Sequence, residues 1–287
     1  MKVSVIGAGR VGTAMAVLLT RAGHHVVAVS GRGPTRARVA SYLPGVMVLE
    51  PAEAAREGEL VLIGLPDDLI APTVRDIADA GAFGAGPYVA HLSGAAGLDV
   101  LDPARAAGAH RLAIHPLQTF PDVSHAVDLI PGSTIAVTAD DDEGYQVAER
   151  VADDVLGEPF RLDDALRPLY HAAAVFASNY LVVTSGIAAG LFEEAGVPEP
   201  VRAMARLQQA TLDNVRDMGP EQALTGPVVR GDGGTVDRNL AALTAHAPES
   251  VPAYVTMARA ALDLASRSGR LDDAGRRAVE EALAPWS

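Results

Sequence analysis

The sequence predicts a doubly wound α/β domain with a parallel sheet, followed by a separate all-helical domain. Two observations lead to this prediction. Short apolar runs alternate with helical segments in the first part of the chain, and no comparable run appears after about residue 163. Continuous apolar strands separated by helices are typical of a parallel sheet that is covered on both faces. We therefore expect an α/β domain at 1–163 and a helical domain at 164–287.

The individual elements follow in order along the chain. The apolar runs predict strands at 2–7, 25–30, 46–49, 59–66, 88–93, 111–117 and 133–139. The segments between the earlier strands predict helices at 10–22, 34–42 and 67–80. In the second domain we expect helices at 164–195, 198–217, 236–246, 249–268 and 271–284. The alternation of strand and helix thus ends where the helical domain begins.

Composition excludes several kinds of site and partner. The chain has 287 residues, a net charge of −13 and no cysteine, which excludes disulfides and thiolate chemistry. An acidic chain does not suit a nucleic acid or an anionic membrane as its general ligand. No stretch approaches the roughly 18 uninterrupted apolar residues of a membrane span, and no H-E-x-x-H metal motif occurs. We expect a soluble, cytoplasmic protein without a metal site.

A glycine-rich turn follows the first predicted strand. "VIGAGRVG" places Gly7, Gly9 and Gly12 in G-x-G-x-x-G spacing at the start of a helix. The first glycine permits a tight turn, the second lets a pyrophosphate approach, and the third lets the helix pack on the strand. The free N–H groups of the helix N-terminus favour an anion. We therefore expect a Rossmann-type dinucleotide site, with Arg10 and Val11 included in its turn.

The second strand ends in a hydroxyl, a glycine and an arginine. Sites that prefer NAD carry an acidic residue about 20 residues after the glycine motif; here the sequence has Ser30, Gly31 and Arg32. An arginine suits a dianionic 2′-phosphate, which it can hold at two points. The sequence therefore predicts NADP(H) as the cofactor, with NAD as the alternative. Arg36 could assist, whereas we interpret Arg38 as a solvated helix residue.

Four more residues follow the carboxyl ends of predicted strands. Ligands of doubly wound sheets lie beyond these ends. Leu65, Pro66 and Ser93 are therefore expected to line the ribose and nicotinamide. His115 ends a further strand at the same edge, and it is a candidate for substrate chemistry.

A long, mostly apolar helical stretch carries two polar residues on one face. "HAAAVFASNYLVVTSG" begins with His171 and includes Asn179. At 100° per residue, these positions fall within about 80° of each other around the helix. Together with His115, they are candidates to protonate and orient a substrate carbonyl. For all three the alternative is a structural residue that is satisfied by hydrogen bonds.

A glycine-rich segment between two predicted helices supplies charged candidates for substrate binding. "TGPVVRGDGGTVDRNL" at 225–240 contains Arg230 and Asp232. Arg230 is suited to hold a substrate carboxylate at two points, and Asp232 could orient a histidine or bind a hydroxyl. The alternative is an interhelical turn that is held by its own aspartate.

The layout and several motifs resemble known proteins. The two domains and "GAGRVG" resemble the superfamily of β-hydroxyacid and imine reductases, which includes ketopantoate reductase, pyrroline-5-carboxylate reductase and 6-phosphogluconate dehydrogenase. "HPLQTF", "HAAAVFASNYLV" and "LTGPVVRGD" more closely resemble a bacterial family of Rossmann-like oxidoreductases whose helical domain has no settled function. This closer resemblance covers nearly the whole chain.

The resemblance also marks a departure at the catalytic position. Ketopantoate reductases carry a catalytic lysine at the start of the corresponding helix, with asparagines four and eight residues later. Here those positions are His171, Val175 and Asn179, and Lys2 is the only lysine of the chain. Histidine titrates near neutral pH and can donate a proton in place of lysine.

Together these features imply an NADPH-dependent oxidoreductase that reduces a small 2-oxo acid, with ketopantoate as the substrate named by the resemblance. A cyclic imine reductase is one alternative, because an imine arrives protonated and needs no strong proton donor. A non-catalytic NADP-sensing protein is another, because a fold does not establish an activity. The alanine-rich helices after residue 164 predict a homodimer through the helical domain.

Overall fold

The computed structural model describes residues 1–84 and 86–286. The chain divides into two compact units, Met1–Asn179 and Tyr180–Ser287. This division falls about one helix later than the boundary that we predict after residue 163. The reason is that Arg167, in the helix that follows residue 163, is hydrogen-bonded into the sheet unit.

The described residues of the first unit form one eight-stranded sheet. Its strands are β1 (Lys2–Ile6), β2 (His25–Ser30), β3 (Met47–Val48), β4 (Leu60–Ile63), β5 (Tyr88–His91), β6 (His110–Pro116), β7 (Thr134–Ala139) and β8 (Glu158–Arg161). The strand order is β3-β2-β1-β4-β5-β6-β7-β8, so the order reverses between β1 and β4. This reversal is the switch point at which doubly wound sheets bind their ligands.

The sheet is mostly parallel, which confirms the predicted fold class. β1 to β6 pair in parallel. The prediction of a parallel sheet is wrong at one edge, because β7 runs antiparallel to β6 and β8 then runs parallel to β7. β8 was not predicted, because its sequence, EPFR, is short, contains proline and is largely exposed.

Helices cover both faces of this sheet. They are α1 (Arg10–Arg21), α2 (Thr35–Tyr42), α3 (Pro51–Glu57), α4 (Asp67–Asp79), α5 (Asp102–Ala106), α6 (Val123–Leu129), α7 (Asp142–Asp154) and α8 (Arg167–Ala174), with a π-helical turn at Val175–Asn179. In β4, Leu60 and Leu62 belong to the core that includes α1, α6 and α7, whereas Val61 and Ile63 belong to the core that includes α3 and α4. Because both faces are buried, the strand reads as a continuous apolar run.

The described residues of the second unit are helical, as predicted. The helices are α9 (Tyr180–Glu194), α10 (Pro200–Met218), α11 (Pro220–Ala223), α12 (Gly233–His246), α13 (Val251–Arg267) and α14 (Asp273–Leu283). Its core lies among α12, α13 and α14, where Val236, Leu240, Leu262 and Val279 are buried. None of the residues of α9 is buried.

One described helical segment has the length and composition of a membrane span. Asp164–Glu194 comprises 31 residues, its most apolar window has a mean hydropathy of 1.5, and none of that window is buried. The sequence analysis did not identify it, because polar residues such as Asn179 and Thr184 interrupt the apolar run. Helices that pack against another protein surface share the same length and composition.

Candidate active site

The glycine-rich turn has the geometry that a dinucleotide site needs. Gly7 has a φ of +88°, and a Cβ atom there would lie 2.6 Å from Leu65 and 2.8 Å from the carbonyl oxygen of Gly64. A Cβ atom on Gly12 would lie 2.6 Å from the carbonyl oxygen of Gly7. On Gly9, in contrast, a Cβ atom would meet no described protein atom nearer than 3.9 Å. The chain therefore leaves open the approach that a pyrophosphate requires.

A cleft of about 500 Å³ extends from this turn to the end of β2. Its lining includes the predicted cofactor residues Gly7, Gly9, Ser30, Gly31, Arg32, Leu65 and Pro66. Arg32 is exposed, so its guanidinium is free to meet a phosphate. The structure thus brings the predicted 2′-phosphate residues to one end of the cleft.

Two further charged residues line the same cleft. Arg38 is half-buried and donates from Nη1 to the carbonyl oxygen of Ala8 at 2.7 Å. The interpretation of Arg38 as a solvated residue is therefore wrong, because α2 turns this side chain onto the glycine-rich turn. Arg36 is exposed and does not line the cleft. Glu50, which no motif in the sequence singles out, also lines the cleft from the start of α3.

A smaller cleft of about 300 Å³ lies beyond β1, β4 and β5. It is lined by Arg10, Val11, Gly64, Leu65, Pro66, Leu92, Ser93 and Phe120. Five of these residues were predicted to contact the cofactor. The cleft occupies the carboxyl edge of the sheet at the switch point, where a nicotinamide ribose is expected.

A third cleft, of about 580 Å³, carries the predicted substrate residues of the first unit. His115, Phe120, Tyr170, His171 and Asn179 are among its lining residues. Phe120 lines the smaller cleft as well, so the two clefts are neighbours. The structure therefore brings His115, His171 and Asn179 together, and their catalytic role stays a prediction.

The two histidines approach each other at a glycine. A Cβ atom on Gly94 would lie 2.8 Å from Cε1 and Nε2 of His115, and 3.0 Å from Nδ1 of His171. The Nδ1 atom of His171 is buried and has no hydrogen-bond partner in the described structure. The ring nitrogen of His171 that remains for a ligand in the cleft is therefore Nε2.

Burial controls the protonation of the groups around His115. Burial, the charge of Arg167 and the neighbouring His171 lower the pKa of His115 to about 4. Burial raises the pKa of Tyr170 to about 12, so its hydroxyl keeps its proton. This hydroxyl lies 2.9 Å from Nδ1 of His115 and can donate to it. A neutral His115 then carries its hydrogen on Nε2, on the side of the ring that faces Gly94.

These buried histidines predict how stability depends on pH. The pKa of His115 falls from 6.5 to about 4, and burial lowers that of His91 to about 3. Below pH 6.5 these two histidines bind protons in the unfolded chain but not in the folded chain, so acidification must lower the free energy of unfolding. The slope should reach about 1.4 kcal/mol per pH unit for each histidine between pH 6 and pH 4. Denaturant unfolding at several pH values should show this slope, and His91→Gln should reduce it.

Asp232 and Arg230 belong to the second unit. The Asp232 carboxylate caps α12: it accepts from the backbone N of Thr235 at 2.9 Å and from Thr235 Oγ1 at 2.7 Å. A Cβ atom on Gly231 would collide with the backbone of Gly275 in α14. This geometry matches the alternative of a turn held by its own aspartate. Arg230 is exposed, and its carboxylate-binding role stays a prediction.

Two known families match different parts of the chain. Residues 1–116 match the family of Rossmann-like domains, and residues 133–261 match the domain of unknown function DUF2520. Residues 117–132 and 262–287 lie outside these two matches. The DUF2520 match begins at the start of β7, so it includes the antiparallel edge of the sheet as well as helices of the second unit. The sequence-based resemblance to such a family is confirmed.

Relatives of the two domains include dehydrogenases and reductases. Glycerol-3-phosphate dehydrogenase, NAD(P)+ type, from Rhizobium etli is 28% identical over an alignment of 222 residues, and the match covers 70% of the chain and 64% of that protein. The structure of a protein from Bacteroides fragilis that is named as a putative NADP oxidoreductase aligns with a TM-score of 0.77 and 24% identity, over 91% of this chain and 98% of that one. The structure of 1-pyrroline-5-carboxylate reductase from Streptococcus pyogenes aligns with a TM-score of 0.61 and 18% identity, over 93% of this chain and 98% of that one. The Rossmann-like and DUF2520 domains thus have the fold of NAD(P)-dependent oxidoreductases.

The described residues give one finding about metal binding. Among residues 1–84 and 86–286, no group of three or more histidine, aspartate or glutamate side chains is placed to hold a metal ion. The polar side chains that line the third cleft carry imidazole, hydroxyl and amide groups.

Proposed function

We propose that this protein is an NADPH-dependent reductase of a small 2-oxo acid, with a ketopantoate-like compound as its substrate. The observation that carries this proposal is the approach of His115 and His171 to Gly94. Ser93, the residue before Gly94, lines the smaller cleft together with Arg10 and Val11 of the glycine-rich turn. NADPH supplies a hydride when it is bound. The chain must then place a proton donor next to the substrate oxygen.

The residues of the third cleft are suited to distinct roles in this reaction. His171 is the proton donor, through Nε2, and Asn179 orients the carbonyl by donating a hydrogen bond. His115 stays neutral and presents its Nε2–H group to the same space. The hydroxyl of Tyr170 fixes the ring of His115 in that tautomer. The arrangement provides a proton and two further donors for an oxygen that gains negative charge.

The test of this function is a substrate screen under NADPH oxidation. A panel of 2-oxo acids, cyclic imines and unrelated aldehydes is offered to the purified protein, and the loss of NADPH absorbance is followed. We expect turnover with one or more 2-oxo acids and a hydroxy acid as the product. Turnover of cyclic imines alone would contradict the proposal, and turnover of nothing would favour an NADP-sensing protein.

One observation favours reduction of a cyclic imine as a second candidate. The pKa of His115, lowered to about 4, leaves this residue uncharged at neutral pH, and no lysine lies in the cleft. A protonated imine needs no proton from the protein, and it is repelled less by a neutral imidazole than by a cationic one. The pyrroline-5-carboxylate reductase fold is consistent with this candidate.

Cofactor preference gives a separate prediction. Arg32→Ala should weaken NADPH binding by about 1.5–3 kcal/mol, the usual value of a charge-assisted hydrogen bond, and leave NADH nearly unchanged. Arg38→Ala should weaken both cofactors, because Arg38 supports the turn through Ala8. Titration of both cofactors into each variant measures this, with Arg36→Ala as a matched surface control. Equal losses of NADPH and NADH in Arg32→Ala would refute a 2′-phosphate contact at Arg32.

We further propose a cytoplasmic homodimer that covers the exposed apolar helices. Val182 in α9 is 70% exposed, and Leu207 in α10 is 64% exposed; such surfaces usually mark a protein or membrane contact. Gln208 donates to Ser185 Oγ at 2.7 Å across the two helices, and a polar link of this kind suits a protein partner better than lipid.

Sedimentation velocity tests the dimer. The wild-type protein should sediment as a dimer, and the double variant Val182→Asp/Leu207→Asp should sediment as a monomer. Ala274→Asp, at an exposed position in α14, adds a comparable charge elsewhere and should leave the dimer intact. A monomeric wild type, or recovery in the membrane fraction, would contradict this proposal.

A further inference from the structure

The largest fully buried side chain of the described residues is an arginine. Arg167 opens α8 and is 0% exposed. Its guanidinium donates to the carbonyl oxygens of Ser93 at 2.5 Å and Ala96 at 2.6 Å, and to Thr138 Oγ1 at 3.0 Å. A guanidinium has planar, fixed donor directions. The buried guanidinium therefore fixes the positions of its acceptors, two of which lie in the turn that follows β5, at Ser93–Gly97.

The same turn is held by other bonds along its length. Ser93 Oγ accepts from the backbone N of Ala95 at 3.2 Å and of Ala96 at 3.0 Å. Beyond them, the carbonyl oxygen of Gly97 lies 3.2 Å from Nε2 of His91. Burial keeps the pKa of His91 near 3, so this ring is neutral and donates to that carbonyl. The turn is therefore rigid, and Arg167 is the charged member of its support.

Gly94 lies within this supported turn, and the histidines of the cleft lie against it. Arg167 comes four residues before His171 on α8, and residues at this spacing lie on one face of a helix. One side chain thus connects the turn that carries Gly94 to the helix that carries His171. A displacement of either would change the gap into which the substrate must fit.

The charge of Arg167 has no carboxylate in contact with it. The described ion pairs within 4.0 Å do not include Arg167, and Asp164 and Asp67 act on its charge from farther away. A buried cation without a direct partner is costly, and it produces a positive potential in the neighbouring clefts. Such a potential favours a ligand that carries a negative charge.

We propose that Arg167 is the positioning residue of this site and the source of its preference for anionic substrates. This inference rests in part on the proposed reductase function. Arg167 does not touch the substrate. It holds the Ser93–Gly97 turn against His115 and His171, and its charge lowers the energy of a carboxylate in the adjoining cleft.

The first test measures positioning without using activity. Hydrogen exchange of peptides that cover residues 92–98 is followed by mass spectrometry in the wild type, Arg167→Lys and Arg167→Met. Exchange in this turn should become at least about tenfold faster in both variants, because Lys cannot bond two carbonyls and a hydroxyl in the same plane. Peptides of β1 and β4 should not change, which excludes global unfolding. Arg161→Met, a surface arginine on β8, is the matched control.

The second test separates charge from geometry in the kinetics. For a 2-oxo acid and its neutral amide, kcat should fall about tenfold or more in both variants, because both lose the geometry. KM for the acid should rise at least about tenfold in Arg167→Met but stay within about threefold in Arg167→Lys, which keeps the charge. KM for the amide should stay nearly constant. If neither compound is reduced, the affinity of the NADPH-loaded variants for the acid, measured by calorimetry, replaces KM.

The outcomes distinguish this inference from the function beneath it. If residues 92–98 exchange as slowly in Arg167→Met as in the wild type, the positioning role is overturned, whether or not the protein is a reductase. An equal rise of KM for the acid and for the amide in Arg167→Met would overturn the charge role. If the wild type reduces no 2-oxo acid but the Arg167 variants show both expected effects, in exchange and in affinity for the acid, only the proposed function is overturned.

Discussion

His171→Gln is expected to lower kcat by about 10²–10⁴, the usual contribution of general acid catalysis. Glutamine is similar in size and still forms hydrogen bonds, but it cannot deliver a proton to the substrate oxygen. The affinity for NADPH should remain unchanged, because His171 lines the substrate cleft and not the two cofactor clefts. Steady-state kinetics and a cofactor titration measure both quantities.

The other residues of the cleft provide the controls for that experiment. Asn179→Ala should raise KM and lower kcat less than His171→Gln does, because Asn179 donates a hydrogen bond but no proton. If His171→Gln keeps full turnover while His115→Gln abolishes it, the proton donor is His115. If both variants keep full turnover, either water is the donor or the substrate is an imine, and the second candidate function is then favoured over the first.

Gly94→Ala is expected to reduce kcat by about 10² or more, although it adds one methyl group outside any predicted motif of catalysis. The new Cβ would lie 2.8 Å from His115 and 3.0 Å from His171, closer than van der Waals contact allows. Both rings must therefore move away from the substrate position. The added group should also cost about 1–3 kcal/mol of stability, as overpacking of a filled site usually does.

A matched glycine separates this steric effect from a general effect of alanine. Gly84 has no described heavy atom within 4 Å of a Cβ position, so Gly84→Ala should keep wild-type kcat, KM and melting temperature. If Gly94→Ala retains wild-type kcat, the space between the two histidines is not where the substrate reacts.

The cofactor half of the site could be predicted from the sequence because its determinants are local. Gly7, Gly9 and Gly12 act through backbone geometry within one turn, and Arg32 follows directly from the end of β2. Strands such as β4 were predictable for a related reason: burial of both faces produces an uninterrupted apolar run.

The substrate half depends on contacts between distant segments, and the sequence does not reveal these. Nothing in the pattern around Arg167 distinguishes it from a surface arginine at the start of a helix, yet it is wholly buried against the turn after β5. Arg38 was misinterpreted for the same reason, since its partner, Ala8, is 30 residues away. The partnership of Tyr170 with His115 likewise appears only when α8 is placed against β6.

The π-helical turn at Val175–Asn179 has a consequence for how this gene can change. A π-turn, with hydrogen bonds between residues five apart, contains an extra residue relative to an α-helical turn. Loss of one codon between 175 and 178 would restore regular α-helical hydrogen bonding, so the segment would remain helical. It would also leave Asn179 on nearly the same side of the helix as His171, because a π-turn accommodates its extra residue by widening and the turns on either side stay in register. The widened turn lines the third cleft through Val175, Ala177 and Ser178, so this deletion would change the shape of the cleft while the helix stayed continuous.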